Sequence, residues 1–377
     1  MKINKITSSR ERMTSFFRGI TPDRIPFAPT IYVDHACVST GRRFEDALID
    51  PSIAPAAMLD AAIQYGTDMV RFPMGPDALW YEEKIVREEN GLLIQFDRRT
   101  GVRDGEYDIA GGGSFLPDEK PSPVLTIADV DAITVRSSSE YCERGCLTHV
   151  QHAINNAHAQ GLFAIGMVSG GQTVNFMVTE LGNTETALFT FYDDPALALA
   201  LINKAVAISI ERGKAFIEVG VDCLYFGDSY ASASVISPDI YERFCTPAYR
   251  EVASEFHRSG VFCYKHCCGR YMPLIEYLPA TGIDAMDGID PESGNVLAEV
   301  KRKIGTEISL MGGMSCLTYL NGTPEAVYEE ASRCIRDAKA GGRFALGSGC
   351  AIPRHTPAEN IAAARKAVID QGVYEEV

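Results

Sequence analysis

The chain has 377 residues, of which 46% are hydrophobic and 23% are charged, the balance of a globular protein with a sizeable core. Its formal net charge of −15 repels the phosphates of nucleic acids and of anionic membranes, so we expect neither as a partner. The charged N-terminal segment lacks the apolar stretch of a signal peptide, and no apolar run reaches the about 20 residues that cross a bilayer. Eleven cysteines in such a chain are better explained as reduced thiols than as disulfides, which predicts a cytoplasmic protein.

Short β-rich runs alternate with longer amphipathic stretches along the chain. The runs predict eight strands, at residues 25–31, 68–72, 163–168, 223–226, 261–266, 285–288, 308–312 and 343–346. The clearest helical patterns span residues 195–220, 237–260 and 323–342. Alternation with Gly at helix ends predicts parallel strands joined by right-handed crossovers. We therefore predict an α/β fold, a (β/α)8 TIM barrel, with residues 1–377 in a single domain.

The alternation of strands and helices fails between residues 76 and 123. Asn90-Gly91 and Thr100-Gly101 are turn signals here, so the segment predicts a small β insertion after the second strand. An insertion at that point lies at the C-terminal mouth of the barrel. Two interpretations remain open: a flap that covers a substrate, and a stabilising addition without a part in catalysis.

Polar and metal-binding side chains cluster at the predicted C-terminal ends of the strands, where barrels of this type build their active sites. These residues are His35, Asp228, His266, Cys268, Asp287, Asp290, Met314 and Cys350. We take Asp228 and His35 as candidate catalytic residues that line the mouth. For Asp228 the alternative is a solvated loop carboxylate.

His266 and Cys268 close the fifth predicted strand, where alternation places them on one face and Cys267 on the other. An imidazole and a thiol in this arrangement are a natural pair of ligands for a soft-to-borderline divalent metal. Cys350 follows the eighth strand and offers a third ligand across part of the mouth. Three protein ligands with an open fourth position are typical of catalytic zinc. The alternative interpretation is a buried cysteine pair beside a core histidine.

The chain resembles the uroporphyrinogen decarboxylase superfamily nearly from end to end. The stretches that carry the resemblance are DRIPFAP (23–29), YGTDMVRFP (65–73), YDDPALALALI (192–202), GVDCLYFGDSYASASVISPDIYERFCTPAYREV (220–252), HCCG (266–269), NGTPEAVYEEA (321–331) and GSGCAIPRHTPAENIAA (347–363). The resemblance implies a (β/α)8 barrel, in agreement with the alternation of strands and helices.

Within this superfamily the chain is similar to the corrinoid-dependent methyltransferases rather than to the decarboxylases. Decarboxylases use an arginine-rich segment near the N-terminus to hold the tetrapyrrole carboxylates, and here the matching stretch has only Arg42 and Arg43. The zinc ligands of the methyltransferases, in a His-x-Cys…Cys pattern, fall on His266, Cys268 and Cys350. Both branches share the segment around Asp228, which therefore marks the pocket without selecting a branch.

The resemblance implies a zinc-dependent enzyme that moves a methyl group between a corrinoid, such as methylcobalamin, and a thiol or tetrahydropterin acceptor. Zinc held by two thiolates and a neutral imidazole has no net charge, and it lowers the pKa of a substrate thiol enough to give a thiolate at neutral pH. We expect a separate corrinoid protein as partner, because the chain contains no corrinoid-binding Asp-x-His-x-x-Gly stretch. The alternatives are a metal-free tetrapyrrole decarboxylase and a non-catalytic tetrapyrrole- or corrinoid-binding barrel. No pattern in the sequence specifies an oligomeric state.

Overall fold

The computed structural model describes residues 8–108, 126–168 and 173–374. Its strands are β1 (Met69–Pro73), β2 (Lys84–Glu89), β3 (Leu92–Asp97), β4 (Arg103–Asp108), β5 (Phe163–Val168), β6 (Cys223–Gly227), β7 (Phe262–His266), β8 (Ala285–Ile289), β9 (Ser309–Met314) and β10 (Phe344–Ser348). Seven of them form one sheet in the order β1-β5-β6-β7-β8-β9-β10, in which all neighbours are parallel. The predicted α/β class is confirmed, together with seven of the eight predicted strands.

Helices follow most strands of this sheet. They are α1 (Ser9–Phe17), α2 (Val33–Ser39), α3 (Phe44–Ala47), α4 (Ile53–Tyr65), α5 (Ala78–Glu83), α6 (Ile127–Ala132), α7 (Ser138–Glu143), α8 (Thr148–Ala159), α9 (Val174–Leu181), α10 (Thr184–Asp193), α11 (Pro195–Glu218), α12 (Pro238–Ile240), α13 (Thr246–Arg258), α14 (Leu297–Ile304), α15 (Cys316–Asn321), α16 (Pro324–Ala338) and α17 (Ala358–Gln371). Short 3₁₀ turns occur at Met272–Tyr277, Pro279–Thr281 and Pro291–Ser293. Among the described residues, no helix is both long enough and apolar enough to cross a membrane.

The predicted helical stretches begin where the sequence provides caps. α11 starts after Asp194, whose side chain accepts the Leu197 N–H, and α16 starts after Thr323, which caps its first turn in the same way. The stretch 237–260 is not one regular helix, because a π-helical turn at Tyr241–Cys245 separates α12 from α13. Pro247 accounts for the break, since it has no N–H to donate to the preceding turn.

The predicted first strand, residues 25–31, is not a continuous strand. It forms only isolated parallel bridges, from Phe27 to Leu346 of β10 and from Thr30 to Ala351. Pro26 and Pro29 explain the difference, because neither can donate a hydrogen bond to a neighbouring strand. The Phe27 carbonyl also accepts the N–H of Asp68, just before β1. Both edges of the seven-stranded sheet are thus bonded to one segment, and the sheet is curled.

The concave side of the sheet is filled with apolar side chains, and α1 covers its N-terminal end. The buried residues of this inner cluster are Met13, Phe16, Phe17, Ala28, Met69, Phe163, Ile165, Cys223, Tyr225, Tyr264, Ala285, Met311 and Ala345. The Phe17 ring stacks on the rings of Phe163 and Phe262, with centroids 5.3 Å apart in each case. Apolar side chains therefore fill the N-terminal part of the interior.

Aspartates fix the opposite, N-terminal ends of two strands by the same pattern of contacts. Asp222, before β6, accepts the His158 Nε2–H at 3.0 Å and the Ala164 N–H at 2.9 Å. Asp284, before β8, accepts the His257 Nε2–H at 2.8 Å and the N–H of a β7 residue at 2.8 Å. Each pattern ties a helix end to two neighbouring strands.

An antiparallel sheet, in the order β2-β3-β4, follows β1. Its first turn is at Asn90-Gly91, where both residues have positive φ, and its second contains Gly101, so the turn signals are located as predicted. Residues 109–123 of the predicted insertion lie outside the described residues. A flap at the mouth, like the single-domain organisation, stays a prediction.

Candidate metal centre at the carboxyl ends of the strands

His266, Cys268 and Cys350 meet at the C-terminal ends of β7 and β10. The His266 Nε2 lies 2.9 Å from the Cys268 Sγ, and the Cys268 Sγ lies 3.1 Å from the Cys350 Sγ. The third side of the triangle, from the Cys350 Sγ to the His266 Nε2, is 3.9 Å. Both thiols are partly exposed while the imidazole is buried. The structure thus brings together the three predicted ligands.

Local backbone geometry explains why these two loops converge. Strand alternation turns Cys267 the other way, so that its thiol is fully buried and faces the Ala231 carbonyl at 3.6 Å. Gly269, three residues after the end of β7, turns the chain with a φ of +94°, which L side chains rarely adopt. On the other loop, a Cβ on Gly349 would lie 2.6 Å from the Asp290 Cα, so only glycine allows Cys350 to come this close.

A buried carboxylate contacts the far side of the imidazole. Asp287 Oδ2 is 3.2 Å from His266 Nδ1, and Asp287 lies opposite His266 in the β7–β8 register. An ionised carboxylate only accepts hydrogen bonds, so Nδ1 carries the proton and Nε2 faces the two thiols. The sequence placed Asp287 at a strand end without this role. The role could have been predicted because Asp287 and His266 both lie near the C-terminal ends of predicted strands that are adjacent in the sheet.

Arg71 is a buried cation that the sequence analysis missed. Its Nη2 donates to Asp287 Oδ2 at 3.1 Å, its Nε to the Tyr264 hydroxyl at 2.6 Å, and its Nη1 to the Pro29 carbonyl at 3.1 Å. The available signal was a charge inside the apolar run 68–72, because such a charge needs a buried partner.

The three candidate ligands share protons in the absence of a metal. The hydrogen bond from Cys268, together with the one from His266, lowers the pKa of Cys350 to about 4, and the same contact with Cys350 raises the pKa of Cys268. Burial disfavours the charged imidazole, but the hydrogen bonds to Asp287 and Cys350 outweigh it and raise the pKa of His266 to about 9. At neutral pH the trio therefore holds one imidazolium, one thiolate and one thiol.

We expect Cys350 to be the cysteine that reacts fastest in the metal-free protein at pH 6. A thiol with a pKa near 4 is fully ionised there, so even after allowing for its weaker nucleophilicity it should react with iodoacetamide about 100-fold faster than a thiol with a pKa near 11. Cys142 is the control, since it is partly exposed and burial raises its pKa to about 11. Peptide mass spectrometry over a time course measures both rates. Equal rates, or labelling of Cys268 before Cys350, would contradict this proton distribution.

The donor set fits zinc. Two sulfurs and one imidazole nitrogen, all within 4.8 Å of one another, match the ligand types of zinc sites, and a carboxylate on the far imidazole nitrogen is the usual companion of a metal-bound histidine. Magnesium and calcium prefer oxygen ligands, which this trio does not offer.

Asp228 is fully buried and is not a solvated loop carboxylate. Its Oδ2 accepts the Thr173 N–H at 2.7 Å, the Thr173 hydroxyl at 2.6 Å and the Tyr249 hydroxyl at 3.0 Å, and its Oδ1 accepts the Asn175 N–H at 3.0 Å. These contacts hold the start of α9 against β6. Asp228 therefore does not line the mouth as predicted, because its oxygens accept the N–H groups at the start of α9, which have no partner within the helix. A part in catalysis stays a prediction.

His35 is buried on α2, and its hydrogen bonds reach none of the three candidate ligands. Its Nδ1 donates to the carbonyls of Pro353 and Arg354 at 3.2 and 3.0 Å, and its Nε2 accepts the Tyr65 hydroxyl at 3.1 Å. Burial lowers the pKa of His35, in agreement with a neutral ring that both donates and accepts. Its contacts fix the loop that follows Cys350. The predicted position on the open mouth is thus wrong, and a catalytic role stays a prediction.

A second group of potential ligands lies at the other end of the sheet. Cys263 Sγ is 3.8 Å from His257 Nε2, which also contacts Asp284. His158 and Asp222 make the same contacts with β5, where Ala164 takes the place of Cys263. Because the arrangement occurs without the cysteine, we interpret it as the strand-end contact described above and not as a metal site.

Comparison with known proteins shows the family to which the chain is similar. A model of the uroporphyrinogen decarboxylase (URO-D) family matches residues 111–371. A methylated-thiol–coenzyme M methyltransferase of Methanosarcina mazei is 31% identical over 173 residues, but the match covers only 45% of this chain and 44% of that protein. The methylcobamide:CoM methyltransferase MtbA of the same organism is 24% identical, over 76% of this chain and 84% of the relative.

A solved structure supports the fold over nearly the full length. A methyltransferase from Methanosarcina mazei superposes with a TM-score of 0.74 at 19% identity, covering 97% of this chain and 99% of that chain. At this level of identity the match shows a shared fold.

Proposed function

The chain belongs to the uroporphyrinogen decarboxylase family, and within that family we propose that it is a zinc-dependent methyltransferase that moves a methyl group from a corrinoid to a thiol. The observation that carries this proposal is the convergence of His266 Nε2, Cys268 Sγ and Cys350 Sγ at the mouth of the sheet. Two relatives whose names describe methyl transfer to coenzyme M support it. A tetrahydropterin acceptor is the alternative within the same chemistry.

The residues of this chain would bind and orient the reactants. Zinc held by His266, Cys268 and Cys350 supplies a Lewis acid that lowers the pKa of an acceptor thiol. Among the described residues, the packed inner cluster fills the N-terminal end of the sheet, so we expect access from the C-terminal ends of the strands. A planar corrinoid, which we expect on a separate corrinoid protein, would therefore approach from that side and cover the opening, which excludes water.

The arginines argue against tetrapyrrole decarboxylation, the competing activity of the family. Arg42 is paired with Asp60 at 2.6 Å and Arg43 contacts Glu45 at 3.6 Å. The buried Arg71 already donates to a carboxylate, a hydroxyl and a carbonyl. Burying several substrate carboxylates beside cations that already have partners would be costly.

Methyl transfer is tested by mixing the zinc-loaded protein with methylcobalamin and either thiols or tetrahydropterins, while the cobalamin spectrum is followed. We expect demethylation that requires zinc, is faster with thiols and is lost in His266→Ala. The same preparation is given uroporphyrinogen, and no coproporphyrinogen should form. Decarboxylation that persists in the presence of a chelator, without methyl transfer, would overturn the proposal.

We also propose that the curled sheet closes as an eight-stranded barrel with residues 25–31 in the eighth position. Phe27 is bonded to both β10 and the residue before β1, and Ala28 belongs to the inner cluster together with residues of all seven strands. Closure brings β7 and β10, which two strands separate, within reach of one metal ion.

A further inference from the structure

We propose that Arg71 and Asp287 are positioning residues that set the zinc affinity of the site, with Arg71 acting only through Asp287. The inference rests on the proposed zinc site. It assigns a role in metal binding to an arginine whose hydrogen bonds go to Asp287, Tyr264 and Pro29 rather than to any of the three ligands.

A hydrogen bond joins Asp287 to His266 on the side of the imidazole away from the two sulfurs. Asp287 Oδ2 faces His266 Nδ1 at 3.2 Å, and its Oδ1 accepts the N–H of Gly288 at 2.8 Å. A carboxylate that is held at both oxygens fixes the rotation of the imidazole plane. Nε2 then points at the two sulfurs before any ion arrives, which reduces the ordering that metal binding would otherwise require.

Arg71 lies behind Asp287, on the side away from the three ligands' sulfurs and imidazole. Arg71 and Asp287 are both fully buried, and Arg71 Nη2 donates to the same oxygen that faces His266. Arg71 is itself held from two sides, by the Tyr264 hydroxyl on β7 and by the Pro29 carbonyl. The guanidinium thus connects β1, β7 and β8 with residues 25–31. These contacts fix the position of the Asp287 carboxylate.

The burial of Arg71 excludes its direct action on a substrate. Its side chain is 2% exposed, and the contacts above use its donors on three sides. Its influence on the metal must therefore pass through Asp287 and His266. This makes a quantitative prediction, because two residues that act in series have effects that do not add.

Zinc affinity is measured by competition with a chromophoric chelator, without any methyl-transfer substrate. We expect Asp287→Asn to weaken zinc binding by about 10–100-fold and Arg71→Met by about 10-fold. The double variant should bind zinc within about twofold of Asp287→Asn alone. The matched control is Asp284→Asn, which removes a carboxylate from another histidine at the opposite end of the sheet and should leave zinc affinity unchanged.

Arg71→Met leaves the buried Asp287 without its cation and can prevent folding, so each variant is checked by thermal denaturation. Arg71→Lys keeps the charge but cannot hold Asp287 and Tyr264 together, and it replaces Arg71→Met in the cycle if that variant does not fold. Effects that multiply in the double variant would show that Arg71 acts independently of Asp287 and would overturn the inference. Unchanged zinc affinity in Asp287→Asn would overturn it too, whereas absence of methyl transfer with normal coupling would count only against the proposed function.

Discussion

Cys268→Ala should lose its zinc and its methyl transfer together, while Cys267→Ala keeps both. Wild-type protein should purify with about one zinc ion per chain. Removing one of the three ligands should lower the affinity by at least about 100-fold, more than the loss of a residue behind a ligand. Because a metal Lewis acid supplies several kcal/mol to such reactions, the rate should fall by about 1,000-fold or more.

Cys267 is a matched control for Cys268, because the two variants remove the same thiol from adjacent positions. Cys267 and Cys268 are adjacent in sequence, but the Cys267 thiol is fully buried on the other side of β7 beside the Ala231 carbonyl. Metal content by mass spectrometry and the cobalamin spectrum report the two effects on the same sample. Similar zinc loss from both variants would mean that the side chains do not alternate as described, and full activity in zinc-free Cys268→Ala would remove the metal from the mechanism.

Asp228→Asn should lower the free energy of unfolding by about 3 kcal/mol. The substitution leaves at least one buried N–H donor without an acceptor or facing another donor. In the wild type Oδ2 accepts three donors and Oδ1 accepts the Asn175 N–H. An asparagine has only one oxygen, so in either orientation its NH₂ group faces a backbone N–H. Urea denaturation with a two-state fit gives the change if unfolding is cooperative.

The control for this change is Asp50→Asn. Asp50 is exposed, and both donors of Ser52 contact the same oxygen, so an asparagine can accept them with its carbonyl. Its effect should be much smaller than that of Asp228→Asn. Zinc affinity should be preserved in Asp228→Asn, and a large loss of activity in a variant of normal stability would instead restore the catalytic role predicted from the sequence.

Local regularities allowed much of the fold and the candidate ligands to be predicted from the sequence. Alternation that continues for two residues past β7 separates Cys268 from Cys267. Apolar runs locate seven strands because each is buried on both faces. The segment 25–31 has the same composition, but Pro26 and Pro29 cannot donate hydrogen bonds, so it is not a regular strand.

What the sequence did not reveal depends on contacts between distant segments. Arg71 meets Asp287 across 216 positions, and only the strand register shows that the carboxylate lies beside His266. Asp228 follows a strand, as mouth residues do, yet the start of α9 lies over it and takes its oxygens. Position at a strand end is visible in a sequence, whereas the helix that covers that end is not.

The aromatic closure below the sheet by α1 has a consequence for the order of events in turnover. Phe16 and Phe17 fill the lower end of the described interior, so under the proposed function both reactants would enter from the C-terminal ends of the strands and could not pass each other. If the broad corrinoid bound first, the smaller thiol would be shut out, and the methylated product cannot leave until the donor has departed. Steady-state kinetics should therefore follow a compulsory-order sequential scheme, with the thiol as the first substrate on and its methyl thioether as the last product off.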